Sequence, residues 1–342
     1  MTLFVGVGDM VRWLASRGPA PIIRGIAAYL EEDYRRWPQF HKVERVADHT
    51  PLGVIELMPV SDPDRYAFKY VNGHPFNPAR GYSTVVAFGV LADVHNGYPV
   101  FLAEMTLLTA LRTAATSAMV ARRLARPGSR VMALIGAGSQ AEFQAIAFRE
   151  LLGVDVLRVW DTDPAAAEKL ARNLRPLGFT VYLSSSGAEA VAGADIVTTC
   201  TADKQNAIVL ADADVRPGMH LNAIGGDCPG KTELDRRTLE RARVFVEYAP
   251  QTRIEGEIQR MPAEFPVTEF WSVLAGLEPG RISDDDITLF DSVGFAIEDF
   301  SALRFLHDDV RGTPWHTAID LVAEPDNPKD LFGFATSPVP VP

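Results

Sequence analysis

Apolar and polar positions follow two rhythms along this chain, and the change of rhythm separates two units. From residue 130 onward, short apolar runs are each followed by a segment of helical spacing. Residues 130–135 (RVMALI) read as a strand, 140–152 as a helix and 156–160 as the next strand. Asp163-Pro164 opens a further helix, with Asp as N-cap and Pro in the first turn, where its missing N–H is not needed. The same rhythm predicts strands at 180–183, 196–199, 221–224, 244–247 and 287–290. Such alternation is the pattern of a parallel sheet covered on both faces.

The earlier part differs. Residues 44–48, 53–59, 66–72 and 85–93 read as strands interrupted by Pro51, Pro59, Pro63 and Pro75. No crossover helix separates them, so an antiparallel or mixed sheet is expected. A long Ala- and Leu-rich helix over 108–126, ending at Pro127-Gly128, carries the chain into the second unit. Residues 318–322 form a late strand candidate that returns to the first unit, and the final SPVPVP reads as a mobile tail.

Composition narrows the function classes. The chain has 342 residues, is 47% hydrophobic and carries a formal charge of -11, which suits two cored domains and argues against a broad nucleic-acid surface. Arg35-Arg36, Arg122-Arg123 and Arg236-Arg237 read as solvated helix faces. The first residues lack a basic leader pattern, and the best apolar run, 84–94, is too short to span a membrane. Two cysteines, Cys200 and Cys228, exclude a disulfide framework. A cytoplasmic protein with no membrane or nucleic-acid partner is expected. No His/Cys/Asp cluster has metal spacing, so no metal is expected.

Gly136-Ala137-Gly138-Ser139-Gln140-Ala141 matches G-x-G-x-x-[GA] between a strand and a helix. Gly136 permits the tight turn, Gly138 lets the backbone approach a pyrophosphate, and Ala141 lets helix and strand pack closely. The helix N-terminus adds free N–H groups and a positive dipole. Asp161 ends the second strand, near the offset expected for the acid on a ribose hydroxyl, and its charge favours NAD over NADP. The plainer rival reading is that Asp161 merely starts a turn with Asp163. A later glycine loop, 225–231, is followed by Thr232, and the resulting GGDCPGKT satisfies the P-loop spacing. The first fingerprint already holds the nucleotide role, and Asp227 would set a carboxylate beside phosphates, so that match is read as accidental.

Five segments together resemble the ornithine cyclodeaminase and mu-crystallin family. They are GVIELMPVSDPDRYAFKYVNGHP, LTALRTAATSAM, VARRLARPGSRVMALIGAGSQAEFQAIAF, HLNAIGGDCPGKTEL and VFVEYAPQTRIEGEIQ. The likeness runs over about residues 36–332. It implies an α/β homodimer in which residues 1–115, completed by 313–342, form a mixed α+β substrate and dimerisation domain. Residues 116–312 then form a Rossmann-type NAD-binding domain. The implied reaction converts L-ornithine to L-proline and ammonia with no net redox change. Hydride leaves the α-carbon for NAD and later returns to the cyclic imine. The alternatives are an NAD(P)-dependent amino-acid dehydrogenase or imine reductase, and a mu-crystallin-like ligand-binding protein.

Site residues carry over onto the matching positions. The resemblance implies Arg45, Lys69 and Arg112 for the substrate carboxylate, Val293 on the substrate side, Glu56 for the distal ammonium and Asp227 as acid/base. Thr84, Arg112, Ser139, Gln140, Asp161, Thr201, Gly225, Lys231 and Ser292 are the implied cofactor contacts, beside Gly136 and Gly138. An environment that raises the Asp227 carboxyl is expected for a base. Each residue also has a plainer reading. Arg45 and Glu56 suit a cross-strand ion pair, and Lys69 could point to solvent. Asp227 could satisfy its own turn. Arg112, in an apolar helix, needs a buried partner on any reading. His49 and His74 are read as local structural histidines.

Overall fold

A computed structural model describes residues 1–202 and 206–336; the expected tail lies outside the described residues. The chain opens with β1 (Thr2–Val5), α1 (Val7–Arg17) and α2 (Pro19–Arg35). Strands β2 (His41–Lys42), β3 (Val46–Thr50), β4 (Gly53–Ser61), β5 (Arg65–Gly73), β6 (Val85–Asp93) and β7 (Pro99–Glu104) follow. Helix α3 (Thr106–Leu124) leads to β8 (Val131–Ile135), α4 (Ala141–Leu152), β9 (Val156–Trp160), α5 (Pro164–Leu174), β10 (Thr180–Leu183), α6 (Gly187–Val191) and β11 (Ile196–Thr199). Next come β12 (Asn206–Leu210), β13 (His220–Ala223), β14 (Thr232–Leu234), α7 (Arg236–Arg241), β15 (Arg243–Val246) and α8 (Ala249–Glu255). The chain closes with β16 (Thr268–Glu269), α9 (Phe270–Leu274), β17 (Thr288–Asp291), α10 (Ala296–Val310), β18 (Thr317–Ile319) and α11 (Leu331–Thr336).

The second sheet runs β10-β9-β8-β11-β13-β17-β15-β16, with every described pairing parallel. Strand order reverses between β8 and β11, the switch point at which such sheets open a ligand crevice beyond their carboxyl ends. This is the α/β, Rossmann-type architecture the strand–helix rhythm predicts. Asp163 caps α5 as expected, accepting the Ala165 N–H.

The first sheet runs β18-β1-β7-β6-β5-β4-β2, with β3 also on β4. It is mixed, because β1 and β7 are parallel while β4, β5 and β6 form an antiparallel meander. Pro59 sits inside β4, at the gap between the β3 pairing, which stops at Leu57, and the β2 pairing, which starts at Val60. The late strand is β18, and it pairs with β1. Side-chain alternation puts Val54, Glu56, Met58 and Val60 of β4 on the inner face. Ala67, Lys69 and Val71 of β5 join them. Ile55, Leu57, Tyr66, Val86 and Phe88 are left exposed on the outer face.

The sequence rhythm missed β1, α1, α2, β7 and α10. Helices α1 and α2 meet at Gly18-Pro19, and a buried stripe of Ile22, Ile23, Ile26, Leu30 and Tyr34 faces the core. Helix α10 packs on α2 and on β4, β5 and β6. We therefore propose that the first unit is completed from about residue 296, ahead of the expected 313, because Phe300, Leu303 and Leu306 bury against that sheet and helix layer.

Helix α2 passes α10 closely at Gly25, where an added Cβ would collide with the Phe305 ring. Ala is the better helix former by about 1 kcal/mol, yet Gly25→Ala is expected to destabilise by about 1–2 kcal/mol through overpacking. Thermal melting checks this: Gly25→Ala should melt below wild type, and Gly25→Ala with Phe305→Leu should recover part of the loss.

Candidate active site

A cavity of about 670 Å³ lies between the two sheets, beyond the carboxyl ends of β8 and β11. Of the residues expected at the site, Arg45, Glu56, Lys69, Thr84, Arg112, Gly138, Ser139, Gln140, Thr201, Gly225, Asp227, Lys231, Ser292 and Val293 all line it. Gly136 and Asp161 do not; they build the turn behind the lining.

That turn is held from two sides. The Gly136 N–H donates to Trp160 O at 2.9 Å, and Asp161 accepts the Ala137 N–H at 2.6 Å and the Asp163 N–H at 2.8 Å. Asp161 thus starts the turn with Asp163, as its plainer reading has it, and keeps further lone pairs for a ligand. Gly136 has φ +103°, and a Cβ there would sit 2.8 Å from Cys200 O. An added Cβ at Gly138 meets nothing within 4 Å, so the backbone is open to the cavity. The buried Gln140 Oε1 has no hydrogen-bond partner. The open glycine and the start of α4 fit a dinucleotide phosphate there, and the Gln140 carbonyl can accept from a hydroxyl of the same ligand.

The three cations form the opposite wall. Lys69 is 1% exposed and donates from Nζ to Asp299 Oδ1 at 2.9 Å, so it does not point to solvent. Arg112 pairs with Glu298, and with Asp299 at 2.9 Å. Arg45 pairs with Glu56 at 3.2 Å and Glu255 at 3.0 Å, and its Nη2 donates to Val293 O at 2.6 Å. The Arg45–Glu56 ion pair is therefore real and is also part of the cavity wall. Burial pulls Lys69 down to about 8, helped by the Arg112 charge and opposed by Asp299. Burial also weighs against the Arg45 and Arg112 cations, but their carboxylate partners outweigh it and raise both.

The acids behind this wall escaped the sequence reading. Glu247 accepts the Ser292 hydroxyl at 2.5 Å and the Gly294 N–H at 3.1 Å, which fixes the turn carrying Val293. Burial raises Glu247, Glu298 and Glu255, the last to about 7 against the pull of Arg45. Their signal was present: Glu247 ends an apolar strand and Glu298-Asp299 interrupt an apolar helix, places where a charge needs a partner.

Asp227 stands on the loop after β13, half exposed, with Lys231 Nζ 3.3 Å away. Lys231 also donates to Thr201 O at 3.0 Å. Glu233 accepts from the Thr201 backbone and hydroxyl, and Glu257 accepts the Glu233 and Leu234 N–H groups at 2.7 and 3.0 Å. A strand, β14, follows this loop where a P-loop would open a helix. The described residues contain no His/Cys/Asp/Glu group able to hold a metal ion. His74 bonds Asn72 at 2.8 Å and His49 lies in β3; neither lines the cavity.

The glycine turn predicts a contrast. Gly136→Ala should lower stability by about 2 kcal/mol through its positive φ and the Cys200 carbonyl. Gly138→Ala should melt as wild type does. Thermal unfolding of the two variants checks the pair, and equal melting would refute this account of the turn.

Comparison with known proteins gives the site its relatives. The model of the ornithine cyclodeaminase/mu-crystallin family matches residues 12–314. Ornithine cyclodeaminase of Agrobacterium fabrum (strain C58) is 56% identical, over 97% of this chain and 94% of that protein. A lysine cyclodeaminase structure, described as recognising L-lysine, L-ornithine and L-2,4-diaminobutyric acid, superposes with TM-score 0.84 at 33% identity, covering 93% of this chain and 96% of that one. An archaeal alanine dehydrogenase dimer with bound NAD gives TM-score 0.82 at 30% identity, over 90% and 96%. The chain belongs to the ornithine cyclodeaminase/mu-crystallin family.

Proposed function

We propose that this chain converts L-ornithine to L-proline and ammonia, using NAD that it retains and returns unchanged. The observation that carries the reading is the joint lining of one cavity by Arg45, Lys69 and Arg112, by Gly138 and Ser139, and by Asp227. The 56% identity to an ornithine cyclodeaminase over nearly the whole chain supports it. So does the neighbour that carries bound NAD.

Gly138, Ser139, Gln140, Thr201, Lys231 and Ser292 would hold the cofactor, with Asp161 toward a ribose and Thr84 across the cleft. When bound, NAD supplies reversible hydride exchange at the substrate α-carbon. The chain's own groups do the rest. Arg45, Lys69 and Arg112 fix the carboxylate and so aim the α-carbon. Glu56, on the inner face of β4, attracts the distal ammonium. Asp227 takes a proton from a substrate amine and returns it as ammonia departs, with Lys231 Nζ 3.3 Å from its carboxylate. Val293 packs against the substrate chain, while the cavity walls exclude water.

We further propose a cytoplasmic homodimer. Ile55, Leu57, Tyr66, Val86 and Phe88 form an exposed apolar patch on the outer face of the first sheet, which a second copy of this chain would cover. No helix of the described residues is long and apolar enough to cross a membrane.

Incubation with L-ornithine and a trace of NAD should yield proline and ammonia far beyond the NAD supplied. Product limited to one equivalent of NAD would favour a dehydrogenase, and binding without product a ligand carrier. L-lysine belongs in the same assay. Asp227→Asn should lower kcat by about 100-fold or more while NAD binding persists, and full activity would remove Asp227 from its role. The Lys69 ammonium should lose its charge as pH rises through about 8, so kcat/KM for L-ornithine should fall on that side. Lys69→Arg should move this limb upward; an unmoved limb would clear Lys69 of the carboxylate contact.

A further inference from the structure

The wall that carries Arg45, Lys69 and Arg112 holds more acid than base. Glu56, Glu255, Glu298 and Asp299 pair with the three cations directly. Glu247 adds a fifth carboxylate under the Ser292–Gly294 turn. Each cation therefore has an acidic partner before any ligand arrives. A substrate carboxylate adds one more negative charge to a buried wall, where repulsion between like charges is strong.

Glu298 can relieve that charge. It is fully buried behind Arg112, and its Oε1 accepts the hydroxyl of Tyr34, also fully buried, at 3.2 Å. A hydroxyl can donate or accept by rotating, so a protonated Glu298 finds an acceptor without any heavy atom moving. The neighbouring acids are less suited. Asp299 and Glu255 face ammonium or guanidinium groups, which cannot accept. Glu247 also meets a hydroxyl, that of Ser292, but backbone N–H groups donate to both its oxygens, Gly294 to Oε1 and Val293 to Oε2, and these favour its ionised form. The charged and titratable groups around Glu298 are Tyr34 of α2, Arg112 of α3, Glu247 after β15 and Asp299 of α10, with Lys69 of β5 beyond Asp299.

We propose that a substrate carboxylate settles against Arg112 and Lys69 together with one proton from solvent, carried by Glu298, which changes from acceptor to donor toward Tyr34. The proposal rests on the reading of the cavity as an amino-acid site. Burial, with Glu247 and Asp299 nearby, outweighs Arg112 and raises Glu298 to about 7, which sets the uptake at neutral pH. Glu298 does not line the cavity and acts through Arg112; it is a positioning residue.

Calorimetric titration of L-proline into the NADH-loaded protein, in buffers of different ionisation enthalpy, counts the protons taken up. Proline and NADH are both reduced, so no turnover intervenes, and at about pH 7 Lys69 is already charged. Glu298, raised to about 7, is already about half protonated at that pH, so wild type should take up about half a proton. Glu298→Gln should bind L-proline with no uptake, and the pH dependence of its KM for L-ornithine should flatten near pH 7. Tyr34→Phe, which removes only the hydroxyl, should bind with reduced uptake. Binding by wild type without uptake, or undiminished uptake in Glu298→Gln, overturns the proposal. Should Glu298→Gln fail to fold, undiminished uptake in Tyr34→Phe overturns it. Absence of any L-proline binding to wild type overturns this proposal and the amino-acid site reading together.

Discussion

The constraint on which this structure turns is the burial of Arg45, Lys69 and Arg112 on one wall of a cavity. Cations out of water need partners, and removing one partner of a buried pair typically costs about 3–5 kcal/mol. The partners come from three separate stretches: Glu56 on β4, Glu255 at the end of α8, and Glu298 with Asp299 on α10. Satisfying the cations therefore fixes how β4, β5, α3, α8 and α10 meet. The same pairing that makes the wall chemically useful holds the first sheet against the second.

The facing wall obeys a different economy of polar groups. Its acids accept backbone N–H groups: Asp161 at the glycine turn, Glu257 at Glu233 and Leu234, and Asp291 at Glu257 and Ile258, at 2.9 Å each for the last two. Carboxylates that receive backbone donors act as fixed braces for loops that have no ladder of their own. Burial, followed by the Glu257 charge, holds the Asp291 carboxyl well above its ordinary value. The loop bearing Asp227 is thus tied to the ends of β13, β14 and β17.

Much of the second sheet was legible because its strands other than β16, a Thr-Glu pair, are largely apolar runs bounded by turn residues, and the glycine fingerprint lies at its first turn. The first unit was only partly legible. Helices α1 and α2 offer helical spacing, but Gly18, Pro19, Pro21 and Gly25 obscure it, and only packing against α10 gives Gly25 a reason. The cations at the site came from resemblance: Lys69 and Arg112 stand inside its quoted segments, and Arg45 within the wider likeness over about residues 36–332. Their acidic partners lie up to 230 residues away along the chain, as Lys69 and Asp299 do. Such pairings exist only once the fold has brought the segments together. Glu298 and Asp299 were not flagged, because their signal, polarity in an apolar helix, lay in a helix the sequence rhythm missed.

The inner and outer faces of β4 and β5 differ by a single residue step. Glu56 and Lys69 face the cavity, while their chain neighbours Ile55, Leu57, Phe68 and Tyr70 face away. An insertion or deletion of one residue within either strand would turn the whole set over, putting a bulky apolar side chain into the cavity and a charge onto the apolar outer face. The lengths of these strands are therefore closed to gradual change. The segment 74–84, which carries Pro75, Pro78 and Thr84 to the cavity rim, is under no such parity rule. Divergence in the length of side chain this scaffold accepts has its open route there, where residues can be gained or lost without reversing a face.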